Sequence, residues 1–343
     1  MPEQGHRVAK HWLSARLLAA ALIAGGCASS PISTTPPTIE PARAADSPRP
    51  AAAPAGQILP LPGSPDAAVV DGDSLVVLTP GPQTSAPATL TVVGRSGSLR
   101  TVPLPGPATA IVSDGRGTAY AATRGGVLTV NLADGTANRT PIAGAENTDF
   151  TAITRRADGR LVLGSADGTA YTLGADLAVA ARAAIFARVD ALAAQGDIAV
   201  VLDRGQTSVT ALTPDGSPAQ ALRAGLGATS IAADPMGRVL VADTRGGQLL
   251  VFSVDPLIAR QAYPVGGAPY GITGSRSLVW VSLTESNTVV GYDLRTGIPV
   301  EKVRYPTVRQ PNTLAYDDAS GTLYVVSGAG AGVQVIRNAG RSA

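Results

Sequence analysis

The chain has 343 residues, 45% hydrophobic and 15% charged, with 39 glycines and 27 prolines. That balance excludes global disorder, which needs few apolar residues and many charges, and the Gly and Pro content calls for many turns between short strands. Formal net charge is +2, with Arg7, Lys10 and Arg16 set against Glu3 at the start of the chain; the remainder is balanced and unsuited to nucleic-acid binding.

A basic stretch (His6, Arg7, Lys10, Arg16) leads into the apolar run LLAAALIA at 17–24. The run is too short to span a bilayer, so 1–26 is expected to be an export signal. Gly25 and Gly26 precede Cys27, the one cysteine of the chain. No intramolecular disulfide or thiolate metal cluster can therefore form. The segment AGGC at 24–27 resembles a bacterial lipobox, with Ala24 where leucine is commonest. The resemblance implies lipidation of Cys27, with palmitate-type acyl chains anchoring the protein to the outer face of the cytoplasmic membrane in the cell envelope. A plain secretory leader with a chance cysteine is the alternative. Residues 28–56 hold seven prolines among Ala, Ser and Thr. They have too few large apolar groups to form a core, so 27–56 is expected to be a disordered, extended tether.

From 57 onward one unit recurs: a small residue and an apolar residue in a short strand, a Gly-containing turn, then a strongly β-prone strand. The apolar anchors are Val69, Ile111, Ile153, Leu192, Ile231, Ile272 and Leu314, spaced 39 to 42 residues apart. Seven units of that length predict an all-β fold, a seven-bladed β-propeller over 57–338 with a short tail at 339–343. Each anchor follows a small residue: Ala68, Ala110, Ala152, Ala191, Ser230, Gly271 or Thr313. Innermost strands converge on the axis, where bulk has no room. The last unit ends after GVQVIRN (332–338) and lacks an outer strand, while QILPLPG (57–63) precedes the first. Residues 57–62 are therefore expected to pair onto the third strand of the last blade and remove its open edge.

Within these units VLVADTRGGQLLVF (239–252) resembles an NHL repeat. The stretch PYGITGSRSLVWVSLTESNTVVGYDLRTGIPVEKVRYP (269–306) is similar to YVTN-type repeats of bacterial surface propellers. ILPLPG and PYGIT resemble the virginiamycin B lyase group. The bias toward Ala, Arg and Gly suits an actinobacterial source. These resemblances imply the fold, and propellers host enzymes, ligand binders and scaffolds alike.

Two residues before each anchor stand Ala67, Thr109, Thr151, Asp190, Thr229, Tyr270 and Asn312, expected to ring the channel mouth. The loops between second and third strands add Arg124, Arg204 and Arg245 on the same face. Arginines above hydroxyls and an amide suit a carboxylate, a phosphate or an acidic peptide. The competing reading is local: Thr, Asp and Asn satisfy turn backbone, and the arginines are solvated or paired with Asp203, Asp243 and Glu285. Trp280 falls in a buried-strand pattern.

No catalytic residue is assigned. His6 and His11 are the two histidines and both precede Cys27, so triads and ordinary zinc sites lack their imidazole. The lyase resemblance implies histidine and acidic residues around magnesium, and no histidine is present to carry that role. No cofactor is expected; the lactonase-like alternative places calcium at the channel mouth between Asp190, Asn312 and Asp66. The expected protein is a monomeric envelope lipoprotein whose propeller is a binding or protein-interaction scaffold. Its partner is an envelope protein or a small anionic ligand, and a metal-dependent hydrolase is the competing function.

Overall fold

The computed structural model describes residues 37–340; Cys27 and the expected export signal lie outside them. Among the described residues, 28 strands and no helix form seven four-stranded antiparallel sheets. This is a seven-bladed β-propeller. The first strands of blades 1 to 7 are Ala67–Asp71, Ala110–Ser113, Phe150–Arg155, Ala191–Gln195, Ala228–Ala233, Pro269–Gly274 and Pro311–Asp317. Each contacts the first strand of the next blade, and that of blade 7 contacts that of blade 1, so these strands line the axis.

Every anchor pairs with an apolar residue of the second strand of its blade. Val69 pairs with Val76, Ile111 with Ala121, Ile153 with Leu163 and Leu192 with Val201. Ile231, Ile272 and Leu314 pair with Val241, Val281 and Val325. The small residue before the anchor is required where blades converge. A Cβ on Gly271 would stand 2.8 Å from the Asn312 carbonyl oxygen of blade 7.

Blades 1 to 6 use four consecutive strands. Blade 7 takes three from the end of the chain and its outer strand, Gln57–Leu59, from the beginning. Gln57 pairs with Val335, Ile58 with Gln334 and Leu59 with Val333. The ladder stops short of the expected residue 62 because Pro60 has no N–H to donate. Closure leaves no blade without its outer strand.

Seven apolar clusters fill the spaces between neighbouring blades. Leu59 and Leu61 belong to the cluster between blades 7 and 1, with Leu75, Val77 and Val333. Trp280 is fully buried between blades 6 and 7. It is stacked between Tyr305 and Tyr316, with centroids 6.1 Å and 5.9 Å away. The end of the described residues is tied in as well, by Ala339 N–H to the Gly321 carbonyl at 2.9 Å.

Candidate functional site

Strands within a blade alternate in direction. The loops leading into first strands and those joining second to third strands therefore share one end of the ring, here the upper face. The polar positions expected at the channel mouth lie there, and four of them sit in a local distortion. In blades 3, 5, 6 and 7 the first ladder slips between Phe150 and Ala152, Ala228 and Ser230, Pro269 and Ile272, and Pro311 and Thr313. Thr151, Thr229, Tyr270 and Asn312 fall in these bulges, and a bulge re-aims its side chain.

The hydroxyls turn to the next blade. Thr109 Oγ1 donates to the Phe150 carbonyl at 2.7 Å, and Thr151 Oγ1 donates to the Val189 carbonyl. Thr313 Oγ1 donates to the Asp66 carbonyl at 3.2 Å. Thr229 is bonded to Thr244 at 2.6 Å, and Thr244 donates to the Pro269 carbonyl. Every acceptor carbonyl belongs to the residue just before the equivalent ring position of the following blade. The hydroxyls of Thr109, Thr151, Thr244 and Thr313 are blade-to-blade links that satisfy backbone acceptors, while Thr229 bonds within its own blade. Tyr270 is half-buried at the same level.

The arginines divide. Arg124 makes an exposed pair with Asp149 at 3.6 Å, an arrangement that contributes little. Arg204 and Arg245 do not pair with the buried Asp203 and Asp243 of their own loops. Those carboxylates accept backbone N–H groups instead: Asp203 from Ala187 at 2.7 Å, Asp243 from Gly227 at 2.8 Å. Arg204 donates to the Ala42 carbonyl, and Arg245 to the Glu40 carbonyl at 2.6 Å.

The stretch expected to be a free tether is thus, over 38–55, laid across the upper face. Ile39 N–H donates to the Gly205 carbonyl at 2.8 Å in blade 4. Ala45 N–H donates to Thr284 Oγ1 at 3.1 Å, and Asn287 Nδ2 to the Pro48 carbonyl at 2.9 Å, both in blade 6. Gln310 spans two residues: its Nε2 donates to the Ala45 carbonyl at 2.9 Å while its Oε1 accepts from Ser47 N–H at 3.0 Å. Arg309 Nε donates to the Ser47 carbonyl at 3.0 Å, and Ser47 Oγ to the Thr284 carbonyl at 2.6 Å. Thr284, Asn287, Arg309 and Gln310 do not stand out in the sequence. Their one signal is that polar residues flank the apolar strands of blades 6 and 7 at loop positions.

Of the oxygens considered for calcium, those of Asp190 and Asn312 are engaged by protein donors. Asp190 Oδ2 accepts from Arg204 N–H at 2.8 Å and Oδ1 from Arg188 Nε at 3.1 Å. Asn312 Oδ1 accepts from Gln310 Nε2 at 3.1 Å. Burial pushes the Asp190 carboxyl up from its ordinary value, against the lowering effect of the Arg204 N–H and the nearby guanidinium groups. Burial also pushes Asp66 up. Among the described residues no three His, Cys, Asp or Glu side chains stand together as a metal site.

No protein-family model matches the chain, and no curated protein matches it in sequence. Solved structures do. A streptogramin B lyase is similar with a TM-score of 0.68 and 11% identity, over 82% of this chain and 97% of that one. What the two share is the propeller fold. A catalytically inactive histidine-to-alanine form of virginiamycin B lyase from Staphylococcus aureus, with quinupristin, has a TM-score of 0.64 and 11% identity. It covers 81% of this chain and 97% of that one. A chain of a mitotic checkpoint complex has a TM-score of 0.68 and 13% identity, over 86% and 98%. At such identities the likeness concerns architecture, which these proteins put to different uses.

Proposed function

We propose that the chain is an exported lipoprotein, held at the outer face of the cytoplasmic membrane through Cys27, whose propeller is a scaffold that binds a partner protein on its upper face. The observation that carries the scaffold reading is the grip on residues 38–55. Arg204, Arg245, Asn287 and Gln310, from blades 4 to 7, hold one extended segment at fixed positions. A rigid ring of donors can hold a chain with little ordering cost of its own. The lipid anchor is supported by AGGC at 24–27. With that anchor, the stretch from Cys27 to Ile39 reaches at most roughly 40 Å when fully extended, so the propeller works close to the membrane.

The test is photo-crosslinking in the native envelope with a probe amino acid at Arg124, an exposed upper-face position away from 38–55, and at Arg276, in a first-to-second-strand turn on the opposite face. The expected result is a discrete adduct from Arg124 and none from Arg276. Equal background labelling from both positions overturns the scaffold. Replacing Cys27 by Ala is expected to release the protein from membranes, and retention in the membrane fraction overturns the anchor.

A metal-dependent hydrolase is the second reading, resting on the carboxylates Asp66 and Asp190 at the channel mouth, both pushed up by burial. The histidine replaced in the inactive virginiamycin B lyase has no counterpart to draw on here, because His11 is the last histidine of the chain. Such an enzyme would have to use Asp66, Asp190 and Asn312 around calcium. Its signature is a rise in melting temperature with added calcium that Asp190→Asn removes.

A further inference from the structure

Five side chains of the upper face donate to carbonyl oxygens of the segment: Arg245 to Glu40, Arg204 to Ala42, Gln310 to Ala45, Arg309 to Ser47 and Asn287 to Pro48; a sixth donor, Gln334 to Ala55, is buried in the third strand of blade 7. The segment returns fewer backbone donors, from Ile39, Ala45, Ser47 and Ala55. The imbalance has a chemical cause. Pro41, Pro48, Pro50 and Pro54 carry no N–H, so this stretch offers more acceptors than donors. Arg, Asn and Gln are the side chains that supply the missing donors.

Side chains of the segment contribute one hydrogen bond to the face, from Ser47 Oγ to the Thr284 carbonyl. Ala42 and Ser47 are buried, while Glu40, Arg43, Asp46, Pro48 and Arg49 are exposed. Ala42 occupies space that Gly227 leaves open: a Cβ on Gly227 would lie 2.9 Å from the Ala42 Cβ. The face therefore reads main-chain carbonyls plus two small residues five positions apart. It also holds a donor that its present occupant does not use, since Arg204 Nε is buried without a hydrogen-bond partner.

We infer that the upper face across blades 4 to 7 is a groove for an extended, proline-punctuated peptide carried on another protein, with small residues at the two buried positions, and that residues 38–55 are a resident occupant which such a partner displaces. This rests on the scaffold reading and names its ligand class. Carbonyl recognition tolerates varied side chains, as in other modes of binding extended proline-rich peptides. The resident segment competes at the high effective concentration of an intramolecular ligand, of order millimolar for a short connection.

The test uses the full chain and a fluorescein-labelled synthetic peptide with the sequence of residues 37–56. The double variant Ala42→Trp/Ser47→Pro disturbs the occupant and leaves the groove residues intact; limited proteolysis within 38–55 reports its release. This variant is expected to bind the labelled peptide at least tenfold more tightly than the unmodified chain. Adding Arg204→Ala and Gln310→Ala is expected to abolish the gain, and a peptide with Trp in place of Ala42 is expected to bind at least tenfold more weakly. As a second measurement on the unmodified chain, millimolar unlabelled peptide is expected to speed hydrogen exchange at Ala45 and Ser47. A released segment with no gain in peptide binding overturns the inference. So does a gain indifferent to Arg204 and Gln310, or a segment that the two substitutions fail to release. If peptide binding fails while the Arg124 crosslink persists, the scaffold stands without this ligand class; if both fail, neither stands.

Discussion

The side-chain amide of Gln334 donates to the carbonyl of Ala55 at 2.7 Å, although the two residues lie near opposite ends of the chain. Gln334 is fully buried in the third strand of blade 7. The same nitrogen donates to the Pro306 carbonyl at 3.0 Å, and its oxygen accepts from Val308 N–H at 3.0 Å. One glutamine thus joins the approach to the closing strand, the end of blade 6 and the path into blade 7.

Gln334→Leu keeps the side-chain volume but leaves the Ala55 carbonyl and the Val308 N–H without this partner, while the Pro306 carbonyl keeps the Ala55 N–H. Unsatisfied buried groups cost about 1–3 kcal/mol each. A loss of about 3 kcal/mol is expected by urea unfolding, with the midpoint falling and the slope unchanged.

Leu59 contributes to ring closure by burial as well as by pairing with Val333. Leu59→Ala is expected to cost about 2–3 kcal/mol. Deleting residues 57–63 removes the whole outer strand of blade 7 and is expected to lower the melting temperature further while broadening the transition. An unchanged, sharp transition after the deletion would show that closure does not depend on this strand.

Thr151→Val removes a blade-to-blade link without changing side-chain volume much. The Val189 carbonyl loses its hydroxyl donor, at a cost of about 1 kcal/mol. Thr109→Val removes the equivalent link to Phe150 and is expected to cost about the same. Either variant should leave the peptide affinity of the loosened chain unaltered.

Acid is expected to weaken the fold through Asp293. Hydrogen bonds from the Arg295 side chain and backbone hold its carboxyl at about 2, below the ordinary 3.8. A depressed folded-state value contributes stability above 3.8 that disappears as pH falls through about 2. Asp293→Asn is expected to flatten the stability profile across that window. Asp190 has the opposite sign: its value is raised by burial, so its ionisation opposes folding and the penalty eases as pH falls through the raised value. Asp190→Asn is therefore expected to be no less stable than the unmodified chain at neutral pH, measured by thermal unfolding.

Much of the architecture was legible in the residues because each blade repeats one local pattern. The anchors Val69 to Leu314 and the small residues before them follow from strand alternation and from crowding at the axis. The incomplete last unit pointed to Gln57–Leu59 as its outer strand for the same local reason. The candidate site was legible only as positions. Thr109, Thr151 and Thr229 were placed on the upper face, but nothing local distinguishes a hydroxyl facing the channel from one bonded to the next blade. The acceptors that decide it, the Phe150 and Val189 carbonyls, belong to the following blades, so the choice depends on how neighbouring blades meet.

The amino-acid sequence by itself determined the number of blades, their register and the way the ring closes, since these arise from apolar periodicity and from the missing strand of the last unit. Only the tertiary structure decided where residues 38–55 lie and what Arg204 and Arg245 hold. A proline-rich stretch cannot form a core of its own, yet its unpaired carbonyls seek donors, and the donors that meet them come from blades far away in the chain that only ring closure brings to one face.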